Sequence, residues 1–250
     1  MKILIANDDG IGAPGLEALS RAFAGAGHEV IVCAPDGQRS AASHSVTLTA
    51  DFPVKRASCP GAVRAYAVGG TPVDCVRIAL HVLEPDVQFV LSGINRGYNV
   101  GTDVLYSGTV GSAMEGTLAG LPAMAVSLGK ESSRYDMAAQ EALSVFGRLQ
   151  ECGGLPEKTM LNLNIPETER ILGRKATSLR WLRYDDCYVL SKREDQADWY
   201  HLEGWLDKTD PAGDDDLSWL QKGFASLTVL SYDLADHPET EALGRRIAAD

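Results

Sequence analysis

Residues 2–12, KILIANDDGIG, place two adjacent acids directly after a short apolar run. The run 3–6 predicts a buried strand, and the stretch that begins at Ala13 predicts a helix. In a parallel α/β sheet, ligands bind in the crevice beyond the carboxyl ends of the strands. Asp8 and Asp9 therefore lie where a functional site is expected, and this stretch predicts an α/β fold.

Placing two carboxylates next to each other is electrostatically unfavourable. Neighbouring carboxylates repel each other, and each resists ionisation. A divalent cation removes that cost, so Asp8 and Asp9 are candidate metal ligands. The alternative is that one acid caps the helix while the other is solvated, and the turn alone leaves both interpretations open.

Composition limits the possible functions. The chain has 250 residues, of which 45% are hydrophobic, and a formal net charge of −11. Such acidity argues against binding a nucleic-acid polymer, which requires a basic face, but not against a small phosphate ester. We expect no membrane span, because no apolar run reaches 18 residues, and no signal-peptide pattern opens the sequence. Five cysteines without CxxC spacing predict reduced thiols and a cytoplasmic protein.

A second predicted strand, 30–34, leads into the polar, hydroxyl-rich loop 38–45. The loop leaves the end of a strand that we place beside the first one. Ser40 is therefore a candidate ligand to an ion held by the acid pair, and Arg39 is a candidate phosphate contact. An ordinary surface loop is the alternative. His44 is a possible proton donor or substrate contact, although a structural role is more common for a single histidine.

A third predicted strand, 87–91, opens into SGINRGYNVG at 92–101. The glycines permit close approach of a ligand to the backbone. Asn95 supplies a neutral oxygen, which suits a hard ion such as Mg²⁺. Asn99 and Arg96 are candidates for orienting a substrate.

The stretch 107–116, SGTVGSAMEG, predicts a capped helix start followed by small residues. Free backbone N–H groups at such a start, with the hydroxyls of Ser107 and Thr109, form a plausible phosphate cradle around Gly108. The stretch is not a Walker A loop, because GxxxxGK[ST] is absent. Close helix packing by small residues is the alternative, and both can hold.

Repeated strand–helix units predict a Rossmann-like three-layer sandwich with a mostly parallel sheet over residues 1–166. Residues 167–250 predict a smaller β-rich C-terminal extension. Four tryptophans in the extension suggest either an oligomer interface or burial within the subunit. The acid run 214–216 predicts a solvated loop in preference to a second metal site. Further expected elements are β-structure at 46–49 and 54–68, a helix at 73–83 capped by Thr71, strands at 177–190, 199–207 and 225–232, and a terminal helix at 238–249.

Five blocks of this sequence, in order and at matched spacing, resemble the SurE family of metal-dependent nucleotide phosphatases. The blocks are IANDDG with APG (5–15), APD with RSAAS (34–43), GTPVDCV (70–76), SGINRG with Asn99 and Gly101, and VLYSGTVGSAMEG (104–116). They cover roughly the first half of the chain. The C-terminal part matches loosely, and DDD at 214–216 stands where the family tends to carry a threonine–aspartate pair.

The resemblance implies one divalent ion per subunit, Mg²⁺ or Mn²⁺, on the residues that match Asp8, Asp9, Ser40 and Asn95. It implies hydrolysis of nucleoside 5′-monophosphates, with 3′-monophosphates and short polyphosphate as further substrates. It also implies a homodimer or homotetramer formed through the C-terminal extension. The expected catalytic residues are Asp8 and Asp9, and the expected substrate or phosphate contacts are Asn99, Ser107, Gly108, Thr109, Arg39 and Ser43.

Other functions fit the sequence less well. A phosphoaspartate phosphatase needs DxD after the first strand, whereas these acids are adjacent. A signalling receiver module is about half this length and needs a phosphoacceptor aspartate after its third strand, where SGIN stands. A non-catalytic nucleotide sensor on the same fold remains the alternative to an enzyme.

Overall fold

The computed structural model describes residues 1–206 and 213–247, and within them the chain forms eleven strands and six α-helices. The strands are β1 (Lys2–Ala6), β2 (Glu29–Pro35), β3 (Val54–Ala57), β4 (Arg64–Val68), β5 (Phe89–Arg96), β6 (Ala123–Leu128), β7 (Thr159–Ile165), β8 (Arg174–Ala176), β9 (Tyr184–Glu194), β10 (Ala197–Leu206) and β11 (Ala225–Ser231). The helices are α1 (Pro14–Gly25), α2 (Pro72–Ile78), α3 (Gly108–Leu118), α4 (Tyr135–Glu151), α5 (Asp216–Gln221) and α6 (His237–Ile247).

One sheet carries nine of these strands, in the order β3-β4-β2-β1-β5-β6-β7-β11-β8. The six from β4 to β7 run parallel to their neighbours. Strands β3 and β11 pair antiparallel with β4 and β7, and β8 runs parallel to β11. The predicted mostly parallel α/β sheet is confirmed.

Helices cover both faces of the sheet. On one face, Leu19 of α1 and Phe146 of α4 belong to a buried apolar cluster with β1 and β5. On the other face, Val76 of α2 and Val110 of α3 belong to a second cluster. The predicted three-layer sandwich is therefore confirmed. In the described ranges, no helix has both the length and the apolar composition needed to traverse a lipid bilayer.

The start of α2 follows its sequence signals. Thr71 Oγ1 accepts a hydrogen bond from the backbone N–H of Asp74, whose carboxylate accepts from the N–H of Thr71, and Pro72 opens the helix. This reciprocal capping satisfies two backbone donors that a helix start leaves unpaired. The predicted N-cap is confirmed, but the α-helix ends at Ile78 and a π-helical turn (Ala79–Leu83) follows.

The predicted strand at 46–49 is wrong. The backbone N–H and the hydroxyl of Thr47 both donate to the carboxylate of Asp74, at 3.1 and 2.6 Å. These bonds tie the segment to the start of α2, and Leu48 is 85% exposed. The apolar alternation therefore follows a surface connection here, whereas 54–68 does contain two strands, β3 and β4.

The C-terminal residues contribute to two sheets. Strands β8 and β11 complete the main sheet, while β9 and β10 form a separate antiparallel hairpin with almost every residue exposed. The predicted strand at 177–190 begins only at β9, and α5 was not predicted. The predicted domain boundary at residue 166 stays a prediction. Strand β11 lies beside β7, so the main sheet contains strands from both sides of that boundary. Residues 207–212 and 248–250, parts of the predicted acidic loop and terminal helix, lie outside the described residues.

Glu84 forms a buried ionic cluster at one end of the sheet. It is 4% exposed and accepts hydrogen bonds from Arg64 Nε at 2.5 Å and the Tyr66 hydroxyl at 3.0 Å. Lys2 Nζ lies 2.6 Å from its carboxylate. Burial alone would raise the pKa of Glu84, but these partners outweigh it and lower the pKa to about 2.

We expect the Glu84 cluster to make the protein sensitive to acid. A lowered folded-state pKa contributes stability above the unfolded value, near 4.5, and that contribution disappears as the pH falls towards 2. Because water screens the partly exposed Arg64, the contribution to the free energy of unfolding is reduced to about 2 kcal/mol. Urea unfolding between pH 6 and pH 3 should show this loss in wild type and a flatter profile in Glu84→Gln. The exposed Glu157→Gln variant should keep the wild-type slope, and equal slopes in all three would contradict the assignment.

Candidate active site

The sheet order brings three strand ends together. Strand β1 lies between β2 and β5, and Ala6 pairs with Ser92 across the β1–β5 ladder. The acid pair and Asn95 therefore leave the same edge of the sheet. Strand β5 extends through Arg96, with a register shift against β6 between Ser92 and Asn95. Asn95 thus lies within an irregular strand end instead of beyond it.

A short turn fixes the direction of the acid pair. The side chain of Asn7 donates from Nδ2 to the carbonyl of Gly10 at 3.0 Å and accepts from its N–H at 3.1 Å. The N–H of Ile11 donates to the carbonyl of Pro35 at 2.8 Å, which fastens the turn to the end of β2. The two carboxylates are therefore carried on a turn with few ways to move.

Asp8 is the more buried acid, at 5% exposure. The hydroxyl of Thr109 donates to its Oδ1 at 2.5 Å, and the N–H of Arg39 donates to its main-chain carbonyl at 2.7 Å. Burial raises the pKa of Asp8, and the charge of Asp9 raises it further, against the hydrogen bond from Thr109. The chain thus holds this carboxylate firmly while disfavouring its charge.

Asp9 is half-buried and accepts a hydrogen bond from the backbone N–H of Arg96 at 3.2 Å. Burial raises its pKa as well, and Arg96 opposes the shift. Two adjacent carboxylates with raised pKa values need a positive charge to ionise together. This is the electrostatic setting that favours a cation.

Oxygen atoms make up the whole predicted ligand set. Asn95 Nδ2 donates to the carbonyl of Gly97 at 2.9 Å, so Oδ1 is the amide atom that can serve as a ligand. Ser40 is exposed, and its hydroxyl accepts from Gln38 Nε2 at 2.8 Å. Carboxylate, amide and hydroxyl oxygens fit a hard ion such as Mg²⁺ or Mn²⁺. In the described part of the chain no three His, Cys, Asp or Glu side chains gather as a metal site, so neutral oxygens would have to complete the shell.

Helix α3 begins directly against Asp8. Ser107 caps the helix by accepting from the N–H of Val110 at 3.1 Å. A Cβ added at Gly108 would lie 2.9 Å from Asp8 Cβ and 3.0 Å from Asp8 Oδ2. Only a glycine lets the first helical turn approach the carboxylate this closely. The N-terminus of a helix, which favours anions, therefore lies beside the proposed cation site.

Three predicted phosphate contacts use their side chains within the protein. Thr109 donates to Asp8, as described above. Ser43 Oγ donates to the carbonyl of Leu105 at 2.6 Å, and Asn99 Nδ2 donates to Ser127 Oγ at 2.8 Å with Asn99 only 6% exposed. These bonds hold loops around the site, and direct phosphate contact by the three side chains stays a prediction. Arg39, at the surface, pairs with Asp36 at 3.2 Å.

A buried carboxylate near this site was not predicted. Glu115 of α3, with 6% exposure, lies 2.8 Å from His44 Nε2 and 2.7 Å from Arg77 Nη1. Burial raises the pKa of Glu115, but the hydrogen bond from His44, the larger effect, and the charge of Arg77 lower it overall. His44 is thereby fixed onto α3. No sequence pattern joins these residues, because they are 38 and 71 positions from Glu115.

The acid run 214–216 is not a solvated loop, and that prediction is wrong for two of its residues. Asp215 caps α5 by accepting from the N–H of Ser218 at 2.8 Å. Asp216 is fully buried and accepts from the backbone N–H of Gly101 at 2.8 Å and of Arg180 at 3.2 Å. Distant backbone donors replace water here. They connect the C-terminal part to the loop that leads into α3.

Two cavities adjoin residues of the candidate site, one at the cap of α3 and the other at Asp9. One, of about 780 Å³, is bounded by residues of α3 and β11 and includes Ser43, His44 and Ser107 in its wall. The other, of about 520 Å³, lies against the starts of α1 and α4 and includes Asp9. The second cavity therefore opens onto Asp9, whereas the first reaches the site through Ser107.

A family model described as Survival protein SurE matches residues 3–186. The match includes every strand end and the helix start described above. The chain belongs to the SurE family. The resemblance seen in the five sequence blocks is thus confirmed, and it extends beyond them into the C-terminal part.

Relatives of known name cover nearly the whole chain. The 5′-nucleotidase SurE of Clostridium beijerinckii is 40% identical over 243 residues, covering 94% of this chain and 95% of that protein. The 5′-nucleotidase SurE of Gloeobacter violaceus is 40% identical over 255 residues, covering 98% and 95%. The crystal structure of the SurE protein from Aquifex aeolicus has a TM-score of 0.83 and 31% identity, and covers 99% of this chain and all of that one. The family fold thus includes the C-terminal part.

Proposed function

We propose that this protein is a metal-dependent phosphomonoesterase that hydrolyses nucleoside 5′-monophosphates to nucleoside and phosphate. The observation that carries the proposal is the close approach of Gly108 to Asp8. It sets a helix N-terminus, which attracts phosphate, beside a carboxylate pair that favours a cation. Family relatives named as 5′-nucleotidases support the choice of substrate.

One divalent ion, Mg²⁺ or Mn²⁺, would be held by Asp8, Asp9, Ser40 and Asn95. When bound, such an ion supplies Lewis-acid polarisation of a phosphoryl oxygen. Thr109 holds Asp8 in place for this role through its hydrogen bond. The backbone N–H of Arg96 does the same for Asp9.

The phosphate is bound by the start of α3 and by Arg39. The first N–H groups of a helix have no partner within it, so those around Gly108 are available to phosphoryl oxygens. The capping bond of Ser107 uses its oxygen as acceptor and leaves its hydroxyl proton to donate. The backbone N–H of Arg39 donates to the carbonyl of Asp8. Its guanidinium breaks its ion pair with Asp36 and binds the phosphate. Charge that develops in the transition state meets donors already in place.

Asp9 accepts the proton of the attacking water. Asp8 is the more buried acid, and its Oδ1 already accepts from Thr109. Asp9 is half-buried and lines the second cavity, so water reaches it more readily.

The same contacts support a wider range of substrates. All of these contacts bind the phosphoryl group, so we extend the proposal to nucleoside 3′-monophosphates and short polyphosphate.

Five free cysteines, three of them buried, support a cytoplasmic location, where thiols stay reduced.

We propose that the subunit assembles as a homodimer or homotetramer through the hairpin and α6. The hairpin exposes Tyr188, Trp199 and Trp205 at 74, 56 and 59%, and a two-stranded ribbon alone is marginal in water. Helix α6 exposes Leu243 and Ile247. Trp219 differs, because it packs against Phe224 at a centroid distance of 5.2 Å, as the alternative of burial within the subunit predicts.

We expect phosphate release from nucleoside 5′-monophosphates in the presence of Mn²⁺ or Mg²⁺. Chelation by EDTA should abolish it, because the acid pair needs the cation, and added Mn²⁺ should restore it. A malachite-green assay over a panel of 5′- and 3′-monophosphates and tripolyphosphate measures this and ranks the bases. Turnover that persists in EDTA would contradict metal dependence. Metal-dependent nucleotide binding without turnover would support the nucleotide sensor.

A further inference from the structure

The larger cavity adjoins the proposed phosphate site. Its wall includes Ser107, the cap of α3, and Ser43, which is tied to the segment before α3. A phosphomonoester bound at the start of α3 therefore has this cavity beside it. The volume of about 780 Å³ lies within the range of small-molecule sites, roughly 300–1,000 Å³.

The wall of this cavity is mostly apolar. Val104, Met114 of α3 and Leu230 of β11 contribute to it. Two aromatic side chains, Trp181 and Tyr232, also line it, with 73% and 47% exposure. Packing within the subunit therefore leaves much of each ring accessible to a ligand. Aromatic faces stack on nucleobases of any sequence, because every base has a π-face.

The second cavity has a different chemistry. Its wall includes the charged residues Asp9, Asp36, Arg96, Lys130 and Glu131. It is also smaller, at about 520 Å³. A neutral, flat base gains little from a charged wall, whereas it gains from leaving water for an apolar one. The two cavities are therefore not equivalent for a nucleoside.

We propose that the larger cavity is the nucleoside site, and that Trp181 and Tyr232 stack on the base while the phosphate lies at the start of α3. The inference rests on the proposed function and adds to it a location and a chemical basis for base recognition. His44, held by Glu115, also lies in the wall of this cavity.

The test compares a substrate that has a base with one that lacks it. The measured quantity is selectivity, the ratio of kcat/KM for AMP to that for ribose 5-phosphate, in Mn²⁺. We expect Trp181→Ala to lower selectivity roughly tenfold, as loss of one stacking partner does. Val229→Trp, which fills the cavity from β11, should lower it at least as much, mainly through KM for AMP.

A matched control fills the other cavity. Ser133→Trp places the same large ring in the wall of the second cavity and should keep wild-type selectivity. Melting curves for all three variants confirm folding. If Ser133→Trp lowers selectivity while Val229→Trp and Trp181→Ala do not, the nucleoside site lies on the other side and the proposal is overturned.

A binding measurement separates this inference from the proposed function. Calorimetric titration of wild type with adenosine in Mn²⁺ should show binding that Val229→Trp weakens at least tenfold and Ser133→Trp retains. That result would support the nucleoside site even without turnover of AMP or ribose 5-phosphate, in which case the phosphatase proposal alone fails. Equal adenosine binding in all variants, or none in wild type, overturns the nucleoside site, and metal-dependent release of phosphate would leave the phosphatase intact.

Discussion

Asp9→Asn is expected to lower phosphate release by roughly 10³-fold or more, since it removes a metal ligand and the proposed base together. The fold should survive, because the neutral amide can still accept from the backbone N–H of Arg96. Replacing Asp9 also relieves the repulsion that raises the pKa of Asp8. In EDTA, the variant should therefore melt no lower than wild type.

A second readout does not depend on turnover. A ligand that binds only the folded state raises its stability, so Mn²⁺ should raise the Tm of wild type and leave that of Asp9→Asn nearly unchanged. Asp136→Asn, the same substitution at an exposed residue paired with Arg21, should behave as wild type in both assays. Full activity in Asp9→Asn would remove this residue from the mechanism.

Gly108→Ala is expected to cost about 10²-fold in kcat/KM. The new Cβ would lie 2.9 Å from Asp8 Cβ and 3.1 Å from Pro72 Cγ, so Asp8 or the helix start must shift. Displacement of a reacting group by about 1 Å is enough for a loss of this size. The same crowding should lower the unfolding free energy by about 1–3 kcal/mol, which urea unfolding measures.

Gly147→Ala is the matched control for Gly108→Ala. Gly147 lies inside α4, and a Cβ there meets nothing within 4 Å. Alanine should stabilise this helix by about 0.5–1 kcal/mol and leave turnover as in wild type. If Gly108→Ala matched this pattern, the close contact between α3 and Asp8 would have no role in the reaction.

The positions of the strand ends that carry the site residues could be predicted from the sequence, because they follow from the order of the strands in the sheet. Apolar runs that end in polar residues marked β1, β2 and β5, and parallel strands present their carboxyl ends at one edge. The sequence alone therefore places Asp8, Asp9 and Asn95 together. The sheet order then set β1 between the other two, as this placement requires.

Side-chain partners distant in sequence could not be predicted. Thr109 looked like a phosphate ligand because hydroxyls suit phosphate, yet it donates to Asp8, 101 positions away. Asp216 looked solvated because acid runs usually are, yet Gly101 and Arg180 supply backbone donors in its buried site. Such partners depend on tertiary packing, which local patterns do not encode.

The position of β11 constrains how the protein is made. This strand lies between β7 and β8 in the main sheet, yet it follows every other described strand in the chain and leaves the ribosome after them. Until then the nascent chain presents β7 as an open edge, and unpaired edges invite aggregation. The sheet therefore closes at this edge only late in synthesis, and until then β7 is open to pairing with other chains.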